Sequence, residues 1–428
     1  MKDRKIETNC LHAGYEEVDP STSSQAVPLY RTTSYRFKDT EHAANLFTLK
    51  ELGNIYTRLM NPTTDVLEQR MAALEGGIGG LAVASGTSAI FYSIINLAQA
   101  GDEIVASSNL YGGTYTQFST ILPQLGIKVK LVDPGDPENF AKAITPKTKA
   151  LYSETIGNPT LEVTDIEAVA DIAHANGLPL IIDSTFTTPA LMRPIKHGAD
   201  IVAHSLTKWL GGHGTGIGGI VVDSGKFDWN TGRHPLFSDP DPSYFNIRFG
   251  SDLGDLQALA YILRMRLVPL RNLGACISPD NAWMFLQGLE TLPLRMARHC
   301  ENALATAKHL ETHPKVEWVR YPGLERDPSY EKSRKYLPQG CGGVIVFGVK
   351  GGVEEGRRFI ESLELFSHLA NVGDARSLAI HPSSTTHSQL TEDQQAAGGI
   401  KPELIRLSIG IEHIDDILAD IDKALESV

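Results

Sequence analysis

Leu180-Ile181-Ile182-Asp183-Ser184-Thr185 and Ile201-Val202-Ala203-His204-Ser205-Leu206-Thr207-Lys208-Trp209 decide the fold of this chain. Each is a short apolar run that ends in polar residues, the pattern of a buried parallel strand whose C-terminal end meets a ligand-binding edge. The first run delivers an acid to that edge. The second delivers two hydroxyls and a lysine, followed by the glycine-rich Gly211–Gly219. A strand-end Asp alone is usually a cap or turn former, and a single Lys is usually a solvated surface residue. An Asp and a Lys brought together on neighbouring strands suit pyridoxal phosphate (PLP): the amine forms a Schiff base, and the acid pairs with the pyridinium nitrogen. Ser205 and Thr207 are placed to hold the phosphate.

Outward from this pair, strand-like runs alternate with helical ones. The strands fall at Leu81–Ala84, Glu103–Ala106, Val129–Asp133, Ala150–Ser153, Leu180–Asp183, Ile201–His204 and Gly219–Val222, with helical stretches at Thr87–Gln99, Tyr115–Gln124 and Ile166–Asn176 between them. The alternation predicts an α/β fold with a mainly parallel central sheet and helices on both faces. Another helix is predicted from Pro62, where Val66, Leu67, Met71 and Leu74 recur at helical spacing. Residues 1–60 lack sustained periodicity and read as an extended arm. The alternation stops around Pro279–Gly288. A helix near Pro293–Leu310, strands at Val316–Tyr321, Gly343–Val349 and Leu404–Ile409, and a closing helix from Asp415 read as a smaller α+β domain. The division predicted is 1–60 arm, 61–282 large domain and 283–428 C-terminal domain. Residues 227–249, rich in Pro, Asp and aromatics, form a long loop of the kind used at functional sites or interfaces.

Composition narrows the function. At 428 residues the chain exceeds one ordinary core. A net charge of −12 argues against nucleic-acid binding, which needs clustered cations. The longest apolar stretch, Ala89–Ala98, is too short to span a bilayer, so no membrane partner is expected. Met1–Glu7 has charges but no apolar core, so no secretory leader is expected. Cys10, Cys276, Cys300 and Cys341 are scattered, which suits reduced thiols in a cytoplasm. Gly214-x-Gly216-x-x-Gly219 matches a dinucleotide fingerprint only literally, because it precedes a strand. No phosphate-loop lysine pattern occurs. His381 and His387 lack metal-ligand spacing, so no metal is assigned.

Other stretches could complete a PLP site. Ser85-Gly86-Thr87 sits between a strand and a helix, where free N–H groups suit a phosphate; a plain N-cap at Ser85 explains it equally well. Tyr111 precedes Gly112-Gly113 and could stack on a cofactor ring, or simply pack its loop. Asn158 could bond the ring hydroxyl oxygen, although Asn-Pro favours turns anyway. Tyr56 and Arg58 lie in the arm, where Arg suits a phosphate or an ordinary surface salt bridge. Arg406 interrupts an apolar strand, and a buried guanidinium must find an internal acid or a substrate carboxylate.

Tyr56-x-Arg58, Ser85-Gly86-Thr87, Tyr111-Gly112, Asp183, Ser205-x-Thr207-Lys208 and Arg406 together resemble the fold-type I, PLP-dependent enzymes of Cys and Met metabolism, from about His12 to the last helix. Length, the 227–249 insertion, Gly288-Leu289-Glu290-Thr291-Leu292-Pro293-Leu294-Arg295 and His368–Leu378 resemble the O-acetylhomoserine sulfhydrylase branch. The resemblance implies a transferase that replaces the acetyl group of O-acetyl-L-homoserine with sulfide or a thiol. It implies that Lys208 carries the cofactor and moves protons, that Asp183 holds the pyridinium, and that Tyr111 stacks on the ring and assists. Gly86, Thr87, Ser205 and Thr207 would hold the phosphate, joined by Tyr56 and Arg58 from a neighbouring subunit, so the smallest active unit would be a dimer and a tetramer of paired dimers is expected. Arg406 and the Asn371 region would grip the substrate carboxylate. Many γ-lyases of this family carry Cys at the position of Gly113 and Ser-Leu-Gly at Asn371-Val372-Gly373, which favours replacement over the alternatives, a γ-lyase or a cystathionine γ-synthase.

Overall fold

The computed structural model describes residues 4–385, 399 and 401–428. His387 and Met1–Asp3 lie outside the described residues. In chain order the strands of the large sheet are β1 (Gly79–Val83), β2 (Glu103–Ser107), β3 (Lys128–Val132), β4 (Thr148–Glu154), β5 (Leu180–Asp183), β6 (Ile201–Ser205) and β7 (Gly219–Asp223). They lie in the order β1-β7-β6-β5-β4-β2-β3. The run from β6 through β5, β4, β2 and β3 is parallel, and β7 is antiparallel to both β6 and β1.

Both faces of this sheet are covered, which is why its strands read as unbroken apolar runs. Ile182 and Val202 join the core beneath helices Pro62–Glu75, Ile166–Ala175 and Pro279–Glu290; Ile181, Ile201 and Ala203 join a second core beneath helices Gly86–Ile95 and Ala260–Met265. Helix Pro62–Glu75 has Asn61 as its N-cap, accepting from Thr63 N at 3.0 Å, Pro62 in its first turn, and left-handed Gly76 at its end.

A five-stranded sheet follows, made of β8 (Val316–Arg320), β9 (Val344–Val349), β10 (Ser367–His368), β11 (Leu378–Ile380) and β12 (Leu404–Ser408) in the order β10-β11-β12-β9-β8. Helices Leu292–Thr312 and Val353–Ser362 pack on it, and Ile414–Glu426 packs against both helices.

The first sixty residues are less extended than their pattern suggests. They hold helices Ile6–His12 and Thr40–Phe47, each too short to display periodicity. The first is fastened to the large domain by fully buried Cys10 and by Arg70 Nε, which donates to Ala13 O at 2.9 Å. Residues 227–249 form one helical turn, Pro235–Ser238, and otherwise irregular chain. Their aromatics nevertheless build a core: Trp229 stacks on Phe237 at 4.2 Å and on Tyr261 at 5.2 Å.

Candidate active site

The site forms at the C-terminal ends of β4, β5 and β6. Parallel pairing sets Glu154 opposite Asp183 and Asp183 opposite Ala203, so β5 and β6 deliver the acid and the lysine turn to one edge. Asp183 is 9% exposed. Its Oδ1 accepts from Thr185 N at 2.9 Å. Burial raises its carboxyl above the ordinary range, against the Thr185 bonds and His204, which lower it. A cationic ring nitrogen would relieve that penalty.

Lys208 lies in the turn after β6. Its Nζ donates to Asn371 Oδ1. Burial first, then the Arg406 guanidinium, pulls the amine from 10.5 to about 8. Arg406, in the middle of β12, reaches the same place. It donates at long range to Asn158 Oδ1 (3.3 Å) and Asn371 O (3.5 Å), and no carboxylate pairs with it among the described residues. Burial lowers its guanidinium to about 10. Lys208, Asn371, Asn158 and Arg406 are thus one contact cluster drawn from both sheets.

A helix N-terminus adjoins it. Ser85 caps helix Gly86–Ile95, its Oγ accepting from Ser88 N at 3.0 Å, so the capping explanation is correct as far as it goes. The same turn packs on the lysine turn: a Cβ on Gly86 would stand 2.6 Å from Ser205 Cβ. Only glycine allows the helix start and the Ser205 hydroxyl to approach so closely. Thr207 Oγ1 accepts from Gly218 N at 3.1 Å. The start of helix Gly86–Ile95, where Thr87 lies, and Ser205 of the turn that bears Thr207 and Lys208 therefore meet at one edge, and with Asp183 and Lys208 this arrangement fits PLP in both charge and chemistry.

Tyr111 is 47% exposed, and its backbone N donates to Glu154 Oε1 at 2.7 Å. A Cβ at Gly113 would lie 2.6 Å from the Tyr111 ring, so the ring's pose depends on glycine there. Glu154 escaped the reading of the sequence, although its signal was present: an acid ending a buried strand, which pairing sets directly opposite Asp183. Burial first, then the neighbouring Asp183, raises its carboxyl well above the usual range.

Tyr56 and Arg58 do not join this cluster within the chain. Arg58 Nη1 donates to Arg271 O at 2.5 Å, and its guanidinium lies 5.5 Å from the Tyr56 ring. Both line a cavity of about 360 Å³ with Tyr35, Phe37, Phe47 and Arg271.

A family model described as Cys/Met metabolism PLP-dependent enzyme matches residues 7–426. The O-acetyl-L-homoserine sulfhydrylase of Leptospira meyeri is 57% identical, with 99% of this chain and 97% of that protein aligned. The homocysteine synthase of Schizosaccharomyces pombe is 53% identical over 100% of this chain and 99% of its own. A crystal structure from Campylobacter jejuni, of a protein named as a candidate O-acetylhomoserine (thiol)-lyase, superposes with a TM-score of 0.95 at 42% identity. It covers 99% of this chain and 100% of that one, and contains N'-pyridoxyl-lysine-5'-monophosphate. Among the described residues no helix is long and apolar enough to cross a membrane. The chain belongs to the Cys/Met metabolism PLP-dependent enzymes, and its cofactor is pyridoxal phosphate.

Proposed function

We propose that this enzyme performs γ-replacement: O-acetyl-L-homoserine and sulfide, or a related thiol, give L-homocysteine, or the corresponding thioether such as methionine, and acetate. The observation that carries the reading is the partly buried Arg406 guanidinium, without an acid partner among the described residues, sharing Asn371 with the Lys208 amine. An α-carboxylate on Arg406 would bring an amino acid's Cα within the lysine's domain. The substrate class comes from the names of the relatives.

In this reading Lys208 would hold PLP until the substrate amine takes its place, and the cofactor would then supply the electron sink for charge developing at Cα. Asp183 would hold the ring nitrogen protonated. Gly86, Thr87, Ser205 and Thr207 would take the phosphate, Tyr111 would stand against the ring, and Asn158 would meet the ring hydroxyl through its amide nitrogen. Arg406, with the Asn371 backbone, would fix the carboxylate. The freed Lys208 amine would remove a proton from Cα and then one from Cβ, assisted by Tyr111. The Cγ–O bond to acetate breaks, a Cγ–S bond to sulfide forms, and the two protons return. Its lowered proton affinity lets a useful fraction of Lys208 act as base near neutrality.

Tyr56 and Arg58 would serve the site of a second copy, making the dimer the active unit and a tetramer of paired dimers its larger form. The exposure of Tyr56 and the position of both side chains on a cavity with no contact to Lys208 or Asp183 support this. The arm 1–60, the PLP-binding domain 61–282 and the C-terminal domain 283–428 would be the working units of a cytoplasmic enzyme.

The test supplies O-acetyl-L-homoserine to the purified holoenzyme with and without sulfide. Homocysteine matching acetate, only when sulfide is present, is expected. Dominant 2-oxobutyrate regardless of sulfide would make the enzyme a γ-lyase.

A further inference from the structure

Arg295 lies in the first turn of helix Leu292–Thr312 and is 5% exposed. Its Nη1 donates to Trp209 O at 2.7 Å, its Nη2 to Gly288 O at 2.6 Å and Leu210 O at 3.4 Å, and its Nε to Thr291 Oγ1 at 3.2 Å. No carboxylate pairs with it among the described residues. A cation buried without a counter-charge is costly, so the guanidinium is an expensive way merely to fill space. Its planar fork instead meets carbonyls at several positions at once, a task for which Lys is no substitute.

Two of those carbonyls belong to the residues directly after Lys208. The same turn is closed by Gly212 N donating to Lys208 O at 2.7 Å. A Cβ on Gly212 would fall 2.1 Å from Arg295 Nη1, so turn and guanidinium are in direct apposition. On its other side the turn is fastened to the segment that bears Asn371: Ala375 N donates to Gly212 O at 2.9 Å, and a Cβ on Gly373 would lie 2.6 Å from Trp209 N. Asn371 in turn accepts from the Lys208 amine.

We propose that Arg295 is a positioning residue for Lys208: it clamps the carbonyls after the lysine so that the amine is delivered against Asn371. The inference rests on Lys208 being the attachment point and proton carrier. A slack turn would let the amine reach water, raising its proton affinity and blunting proton transfer without altering how Arg406 holds the substrate.

Three variants test it. Arg295→Met removes every donor at similar length, Arg295→Lys keeps the charge but not the fork, and Thr291→Val removes the Nε bond, with the long Thr291 Oγ1 bond to Gly288 O at 3.5 Å, while leaving both bonds to the Lys208 turn in place. Apoenzyme of each is mixed with PLP, and the visible band of the lysine-linked cofactor is followed against pH; steady-state kinetics are measured on the holoenzymes. Arg295→Met should move the pH midpoint for band formation upward by about half a unit or more and lower kcat by about tenfold, with KM little changed. Arg295→Lys should fall between Met and wild type, and Thr291→Val should keep the wild-type midpoint. A folded Arg295→Met with wild-type midpoint and kcat but a lower melting temperature would reduce Arg295 to a structural residue and overturn the proposal. If the Met variant does not fold, Arg295→Lys decides in the same way. The midpoint does not depend on the substrate, so a wild type that makes no homocysteine would fail the proposed reaction while leaving this inference standing or falling on the midpoint alone.

Discussion

The lowered proton affinity of Lys208 can be measured apart from turnover. At a value of about 8, roughly 9% of the amine is uncharged at pH 7, against roughly 0.03% for a lysine at 10.5, a difference of about 300-fold in reactive base. Linkage to an aldehyde needs the uncharged amine, so the rate at which apoenzyme captures PLP should rise with pH and level off above about 8. Burial is the larger cause and Arg406 the smaller. Arg406→Leu should therefore move the midpoint upward, but not restore the value of a free lysine. Stopped-flow absorbance on apoenzyme across pH 6 to 10, at saturating PLP, reads the midpoint directly. A wild-type midpoint near 10.5, or a downward move in Arg406→Leu, would refute the environment assigned to this amine.

Asp183→Asn should retain the fold and bind cofactor, but lose far more than tenfold in kcat, because an amide cannot hold the ring nitrogen protonated; a loss under tenfold, about 1.4 kcal/mol, would remove Asp183 from its role. Lys208→Ala and Arg58→Ala, each inactive or poorly active alone, should regain activity when their subunits exchange, since one mixed site collects both lesions and the other neither; no recovery despite demonstrated exchange would place Arg58 outside the partner's site. His299 is wholly buried, its Nδ1 donates to Ile409 O at 2.6 Å, and burial lowers it to about 4. The unfolded chain then binds more protons between about 6.5 and 4, so the neutral ring's contribution, about 3 kcal/mol, is present above 6.5 and lost as pH falls through that window. His299→Gln should flatten the acid limb of urea stability against pH, and an unchanged limb would show that the ring is not held neutral.

Much of this was legible because the large sheet is buried on both faces. β5 and β6 read as apolar runs, and the acid and lysine at their ends could be placed without knowing the rest. Glu154 was legible in principle, but a strand-end acid gains meaning only when pairing sets it beside Asp183. The antiparallel course of β7 was not legible, since the direction of a strand leaves no trace in its apolar content. The helix from Ala260 was hidden for a physical reason: Pro269 interrupts it, and the chain accommodates the missing N–H by widening to π spacing over Arg266–Leu270. The strands β10 and β11, of two and three residues, are too short for any pattern. The contact between the Lys208 amine and the Asn371 side chain joins positions 163 apart in sequence, and only the packing of the second sheet on the first creates it.

The central claim is that one lysine moves protons at both Cα and Cβ while sulfide replaces acetate at Cγ. Homocysteine made from protiated O-acetyl-L-homoserine and sulfide in D₂O, analysed by NMR, tests it directly. The lysine ammonium exchanges its hydrogens with solvent, so deuterium should appear at both Cα and Cβ, and none at Cγ. Homocysteine fully protiated at Cβ would mean that sulfide displaces acetate directly, without the proton transfers assigned to Lys208.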